Sequence, residues 1–462
     1  MHKRKILIAL PFGQTIRDVL RSDTYIKLKA RNDVQLIVLS SASMDVEFQN
    51  EFGGDNIIFE YLGDYKANRL ELLWQSFYLS TLAFKSNTIR LYAKNDKKSA
   101  LRFFIPLSNG ISKIIGRFRL QRFLGYLMRM SNRARDYKEI FDRHKPDLVV
   151  VTRVLRASPD YPILKEAADR KLPVIALVSS WDNFTTKGFF PFGVKKLVVW
   201  NDVMKQEAIE LFGFPEKDIY MSGIPRFDNY FNKKGIRTKE VFFKAFHLDL
   251  NKKLITYTTG NKSLVLPPGD NTSAEVDIAK HLADSINKGE LGDSQLLVRL
   301  HPLAEEEDFQ PLLGIPNVVL QVPGKNDAFR DRLFSKQDDV EIAETVLYSD
   351  LVLNVASTMT IDSAVFDTPS LSVSFDIRSP LPMEHSAKRI YEYEHYRKLR
   401  ETGGVHMVHS AEEMIEQARN YLINPNFNQE KRKAIVDQQC KFTDGKSGER
   451  VADGILTYLK SI

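Results

Sequence analysis

Short apolar runs recur along this chain, and helical stretches separate them. They include residues 5–10 (KILIAL), 34–39 (VQLIVL), 146–152 (PDLVVVT), 173–178 (PVIALV), 253–258 (KLITYT), 296–300 (LLVRL), 350–354 (DLVLN) and 370–375 (SLSVSF). Runs with so little apolar–polar alternation are strands covered on both faces, and such strands belong to parallel sheets flanked by helices. Each run ends in a polar or proline-bearing turn and then gives way to helical periodicity, the pattern of βα units. In sheets of this kind ligands gather at the carboxyl ends of the strands. The residues just after each run are therefore the candidates for function.

A chain of 462 residues exceeds what one core of about 250–300 residues holds together, so two domains are expected. A first α/β series runs over 1–228 and carries a helical insertion at about 64–140. The segment from Gly223 to Asp228 is its exit. Residues 229–440 form the second series, and 441–462 a helix that crosses back. The single cysteine, Cys440, excludes an intramolecular disulfide and a cysteine-rich metal site and fits a reducing compartment. The amino-terminal apolar run, Ile6 to Leu10 before Pro11, is shorter than the roughly 7–15-residue core of a signal peptide and reads as a first strand. No stretch approaches the roughly 20 apolar residues that span a bilayer.

The net charge of +7 is local. Residues 94–138 hold twelve Lys and Arg against two acids, more than the whole surplus. Over 111–138 the apolar residues recur at helical spacing while Lys113, Arg117, Arg119, Arg122, Arg129, Arg133 and Arg135 fill much of the rest. Such a helix either packs on a core with a solvated basic face or meets an anionic lipid surface, and the two are compatible. No nucleic-acid-binding motif accompanies the basic segment.

Four loops carry chemistry. After residues 296–300 come His301 and Pro302, with Arg299 in the run itself; a cation and an imidazole at a strand end suit an anionic ligand, or else a structural ion pair and a capped strand end. After residues 350–354 comes a hydroxyl-rich turn with Ser357, Thr358 and Thr360, then Asp362. Backbone N–H groups at a helix start bind phosphate, and the same residues also serve as ordinary caps. Gly260 and Asn261 end the first strand of the second series. In the first series Gly13 follows the opening strand, and residues 179–188 (SSWDNFTTKG) place Trp181, Asp182, Asn183 and Lys187 in one polar loop. Asp182 is either a general base or a turn former. Asp362 suits a ribose hydroxyl or a solvated helix position. Asp338 and Asp339 read as a helix cap rather than a metal clamp, and no His/Asp ligand cluster is present.

Three of these motifs carry a resemblance to a family. The order of Arg299, His301 and Pro302, then Ser357 and Thr358 two βα steps later, resembles bacterial GT-B glycosyltransferases. The likeness is to CDP-glycerol glycerophosphotransferases and to the Kdo and sialyl transferases with a His-Pro motif. Residues 180–188 are similar in position to the Trp-His-Gly-Thr-Pro segment of the glycerophosphotransferases, with Asp182 standing where those enzymes have the catalytic His. That departure leans towards sugar transfer. The closing residues 444–450 (DGKSGER) also resemble the group's last helix.

The resemblance implies two Rossmann-like doubly wound domains facing across a cleft, with the last helix packing back. It implies transfer of a sugar or polyol phosphate from a nucleotide-activated donor, CMP- or CDP-linked, to a surface-glycan or lipid-linked acceptor. Asp182 is then the base. Arg299, His301, Pro302, Ser357, Thr358, Thr360, Asp362, Gly260 and Asn261 form the donor side, and Gly13, Trp181, Asn183 and Lys187 the acceptor side. No metal or cofactor is expected. The basic helices place such an enzyme in the cytoplasm, at the inner face of the plasma membrane. Two other readings stand beside it: a UDP-N-acetylglucosamine 2-epimerase type of enzyme on the same fold, and a non-catalytic membrane-surface protein.

Overall fold

The computed structural model describes residues 3–82, 101–132, 137–260, 273–323, 336–383 and 385–462. Asn261, the Pro/Gly-rich loop at 264–272, nearly all of the charged stretch 325–336 and part of the basic segment lie outside the described residues. The chain divides into two compact units, one of residues 1–228 and 440–462, the other of residues 229–439.

The first unit holds a seven-stranded sheet. Its strands are β1 (Arg4–Leu10), β2 (Val34–Ser40), β3 (Ile57–Tyr61), β4 (Leu148–Val151), β5 (Val174–Leu177), β6 (Lys196–Val199) and β7 (Ile219–Met221). They lie in the order β3-β2-β1-β4-β5-β6-β7, and every pairing is parallel. The strand order reverses between β1 and β4, which makes that edge the topological switch point. Ile6, Ile8, Leu36, Val38, Leu148 and Val150 are fully or almost fully buried, as strands covered on both faces require. The helical stretch after β1 is two helices, Gly13–Leu20 and Asp23–Lys29. Ser22 breaks it by accepting the N–H of Thr24 with its hydroxyl at 3.3 Å.

Between β3 and β4 lie the helices Arg69–Ser80, Leu101–Ile115, Arg117–Ser131 and Lys138–His144. In Arg117–Ser131 the residues Leu120, Leu124 and Met128 are buried. On the outer face stand Arg119, Arg122, Phe123, Tyr126 and Met130, the last three 55%, 56% and 62% exposed. The packing reading of the basic helix therefore holds: one face packs, and the other presents aromatic and basic groups to solvent.

The last helix, Ser447–Lys460, belongs to the first unit. Its opening N–H groups, on Ser447 and Gly448, donate to the two carboxylate oxygens of Asp228 at 2.9 and 2.7 Å. Gly448 sits so near the Asp23–Lys29 helix that a Cβ would lie 3.0 Å from the backbone nitrogens of Asp23 and Thr24. Val451, Ala452, Ile455 and Leu459 complete the core.

The second unit holds β8 (Lys253–Thr258), β9 (Ser294–Arg299), β10 (Val318–Gln321), β11 (Leu351–Asn354), β12 (Ser370–Val373) and β13 (His406–Val408), in the parallel order β10-β9-β8-β11-β12-β13. Here the switch point lies between β8 and β11. Alternation along β9 sends Leu296 and Val298 to the core shared with Leu282 and Ile286, and Leu297 to the opposite face with Phe242 and Phe243. The helix expected to open at Asp338 or Asp339 is already under way at Lys336, so those two carboxylates lie in its first turn. Strand β13 and the helices Lys388–Tyr391 and Glu394–Arg400 are too short and too polar to stand out in the sequence.

Candidate active site

Thr258 of β8 lies opposite both Arg299 of β9 and Asn354 of β11, so three adjacent strands end level with one another at the switch point. The loops leaving those ends carry most of the donor-side candidates. His301 is anchored twice. Its backbone N–H donates to Thr259 Oγ1 at 2.8 Å, and its Nδ1 accepts the N–H of Leu303 at 3.0 Å. Burial pushes the imidazole down to about 4. The ring is thus neutral near pH 7 and, with Nδ1 accepting, carries its proton on Nε2. It can donate one hydrogen bond and has no free lone pair with which to act as a base. Pro302 shapes the tight turn between His301 and Leu303.

Arg299 is 6% exposed, and its Nη1 has no hydrogen-bond partner among the described residues. Burial pulls the guanidinium below its usual range, while Glu341, Asp338, Tyr230 and Asp339 act in the other direction. No carboxylate among the described residues forms a salt bridge with it. A buried cation without a direct ion pair is costly unless an anion completes it.

The turn after β11 is held from within. Ala356 adopts a left-handed backbone with φ of 43°, and its N–H donates to the Tyr391 hydroxyl at 2.9 Å. That hydroxyl in turn donates to the Val373 carbonyl at 2.8 Å. The Ser357 N–H donates to Asn354 Oδ1 at 3.0 Å, and Ser357 Oγ accepts from Met359 N at 3.3 Å, so Ser357 does serve as a local cap. Thr358 is half-buried, and its hydroxyl makes no hydrogen bond among the described residues.

Two donor-side expectations meet a different arrangement. Thr360 is fully buried, and its hydroxyl is shared with Asn354 and Tyr396. Asp362 is buried and accepts from Tyr230 at 2.8 Å. Both are engaged within the turn, and burial rules out a solvated helix position for Asp362.

Gly260 donates its N–H to both carboxylate oxygens of Glu275 at 2.8 and 3.0 Å, and Tyr257 donates to Glu275 Oε1 at 3.1 Å. Burial raises Glu275 to about 7. Sequence reasoning missed this carboxyl because it opens an ordinary amphipathic helix, where a first-turn acid is common.

The acceptor-side candidates lie in the first unit. The loop after β5 winds into a single π-helical turn, Asn183–Lys187. Asp182 precedes it and accepts from Ser180 Oγ at 2.6 Å and from Lys187 Nζ at 3.0 Å. Lys187 is therefore the ion-pair partner of Asp182. Trp181 and Asn183 are buried, and Asn183 ties back to Ser179 Oγ at 3.3 Å. Gln14 reaches the Ser179 carbonyl at 3.4 Å, whereas Gly13 only opens a helix.

The sequence model of a family described as CDP-glycerol:poly(glycerophosphate) glycerophosphotransferase matches residues 178–457. The match takes in the Asp182 loop, His301, Ser357 and most of the last helix, and it covers more than half of the chain.

The chain belongs to that family.

It is accordingly a GT-B-type transferase that works on a nucleotide-activated donor. No curated protein matches it significantly in sequence. Among solved structures it is similar in fold to S. aureus MnaA with UDP, at 14% identity and a TM-score of 0.56, over 99% of this chain and 98% of that one. UDP-GlcNAc 2-epimerase from Neisseria meningitidis bound to UDP-GlcNAc gives 13% identity and a TM-score of 0.55, over 98% and 100%. The wall teichoic acid polymerase TagF gives 14% and 0.54, over 100% and 90%. At such identities the epimerase likeness is one of fold, and the family match places this chain with the transferases.

Proposed function

We propose that this transferase moves a sugar or polyol phosphate from a CMP- or CDP-linked donor to a surface-glycan or lipid-linked acceptor. The observation that carries the reading is the hydrogen bond from the Leu303 N–H to His301 Nδ1, which leaves the buried ring Nε2 as its outward donor, at a strand end level with the buried Arg299. As the nucleotide departs, negative charge grows on its phosphate oxygen. A preorganised N–H donor and a desolvated cation stabilise that charge without reorganising. Thr358 supplies, at the same strand ends, a hydroxyl that makes no hydrogen bond among the described residues. Asp182 is the base that takes the proton of the acceptor hydroxyl. Charge neutralisation is assigned to Arg299 and hydrogen-bond donation to His301, and the proposal needs no metal.

The reading also places the enzyme against an anionic membrane surface in the cytoplasm. Arg119, Arg122, Phe123, Tyr126 and Met130 form an outward stripe of basic and aromatic groups, the composition that binds acidic headgroups while inserting rings at the interface. Among the described residues no helix is long and apolar enough to cross a membrane.

A thermal-shift panel with CMP, CDP, UDP and GDP tests the donor assignment. A cytidine nucleotide is expected to raise the Tm of the wild type through mass action and to raise that of His301→Ala less. A wild type whose Tm is unmoved by all four nucleotides would end the proposal.

A further inference from the structure

A pocket of about 50 Å³ opens in the second unit, separate from the His301 turn. Its walls include Glu275, Val355, Phe375, Asp376, Arg378 and His385. Val355 follows β11 directly and stands two residues before Ser357, while Phe375 and Asp376 follow β12. The pocket therefore begins beside the hydroxyl turn, at the same carboxyl edge of the sheet.

Its charges decide what it can take. Arg378 is spent on Asp277 at 2.5 Å and on the Ser273 carbonyl at 3.2 Å. Asp376 accepts the N–H groups of Leu381 and Ala387 at 3.2 and 3.1 Å, which folds the loop over the pocket. Glu275 is 1% exposed, and among the described residues its Oε2 receives only the N–H of Gly260 that it shares with Oε1. The His385 ring makes no hydrogen bond among the described residues. Two carboxyl groups disfavour a phosphate, and the one cation is already neutralised. An acceptor-rich wall with a free imidazole, lined elsewhere by Phe375 and Val355, suits a neutral group that has hydroxyls on one side and C–H bonds on the other.

We propose that this pocket holds the hydroxyl-bearing group that the donor transfers, with Glu275 accepting from one hydroxyl and His385 hydrogen-bonding another. The proposal rests on the nucleotide-donor reading above and names the part of the donor that its phosphate-side residues do not touch. Burial, which raises Glu275 to about 7, is consistent with a carboxyl shielded from water and ready to share a proton with a hydroxyl.

Titration calorimetry on the full chain separates the two ideas. The probes are CDP-glycerol, CDP-glucose and the methyl ester of CDP, which has the same diphosphate charge and no hydroxyl on the transferred group. Wild type is expected to bind at least one hydroxylated donor about tenfold more tightly than the methyl ester, the effect of one to two hydrogen bonds. Glu275→Gln and His385→Ala are each expected to lower that ratio about threefold, the share of one of the two hydroxyl contacts, while leaving methyl-ester affinity in place. His385 is half-buried, so its variant keeps the test open if Glu275→Gln folds poorly. Methyl-ester binding without the preference, or a preference unchanged in the variants, overturns the pocket assignment alone. A wild type that binds none of the three overturns the donor reading and the pocket with it.

Discussion

His301 Nδ1 accepts the backbone N–H of Leu303 at 3.0 Å, and this bond sets the chemistry of the ring. It commits the lone pair that a general base would need and leaves Nε2–H as a donor. Replacing His301 by Ala should weaken nucleotide binding by roughly 10–100-fold, the worth of a hydrogen bond to a charged group. Between about pH 6.5 and 8 the contribution should be flat, since the ring stays neutral there. Its depressed value also predicts stability that is present above pH 6.5 and lost as the pH falls towards about 4, because only the unfolded chain protonates in that window. Acid unfolding of His301→Ala should be correspondingly less steep. Equal acid sensitivity in both proteins would contradict the buried neutral ring.

Glu275 predicts the opposite slope. Its folded value is raised from 4.5 to about 7, so the folded protein holds a proton that the unfolded chain has released. Stability from this group is complete below pH 4.5 and is lost as the pH rises through about 7. The loss is about 3 kcal/mol by linkage. Urea unfolding of wild type and Glu275→Gln at pH 5 and pH 8 reads it, with the variant expected to change less. Asp160, buried and also raised to about 7, contributes equally to both proteins and cancels in the comparison.

Tyr391 positions the hydroxyl-rich turn after β11 through Ala356, whose left-handed backbone is unfavourable for a residue with a Cβ. Tyr391→Phe leaves that N–H without an acceptor. It should cost about 1–3 kcal/mol of stability and lower nucleotide affinity by about tenfold. Tyr421→Phe, which removes a hydroxyl bonded to His406 elsewhere in the unit, is the control. It should cost stability and spare nucleotide binding. If both variants bind nucleotide equally well, Tyr391 is merely structural.

Asp182→Asn should lower kcat by roughly 10²–10⁴ with little change in KM if the carboxylate removes the acceptor proton. Lys187→Met, which frees that carboxylate from its 3.0 Å partner, should alter the pH profile of kcat and leave nucleotide affinity unchanged. Wild-type turnover by the Asn variant would transfer the base to another group.

Arg119 and Arg122 have no ion-pair partner among the described residues. The double change Arg119→Glu, Arg122→Glu should abolish co-sedimentation with phosphatidylglycerol vesicles and leave nucleotide-induced stabilisation intact. Each lost cation is worth about 1 kcal/mol at an anionic surface. Vesicle binding that survives the double change would assign the stripe to solvent.

Much of this protein is local in origin. A short apolar run such as LVVV or KILIAL, bounded by turn residues, reads as a strand covered on both faces, so the parallel sheets and the loops at their carboxyl ends followed from residues near one another in sequence. Arg299, His301 and Thr358 were legible for the same reason. What each group does was decided by partners that no local pattern announces. Lys187 turned out to pair with Asp182 because a π-turn brings it back, and Thr360 and Asp362 turned inward to Tyr396 and Tyr230. Glu275 and Tyr391 became important through bonds to Gly260 and Ala356, 15 and 35 residues away in the chain. Hydrogen bonds and burial depend on what the folded chain places opposite a side chain. Sequence spacing therefore located the strand ends, and tertiary packing set the charge, tautomer and availability of the groups that stand there.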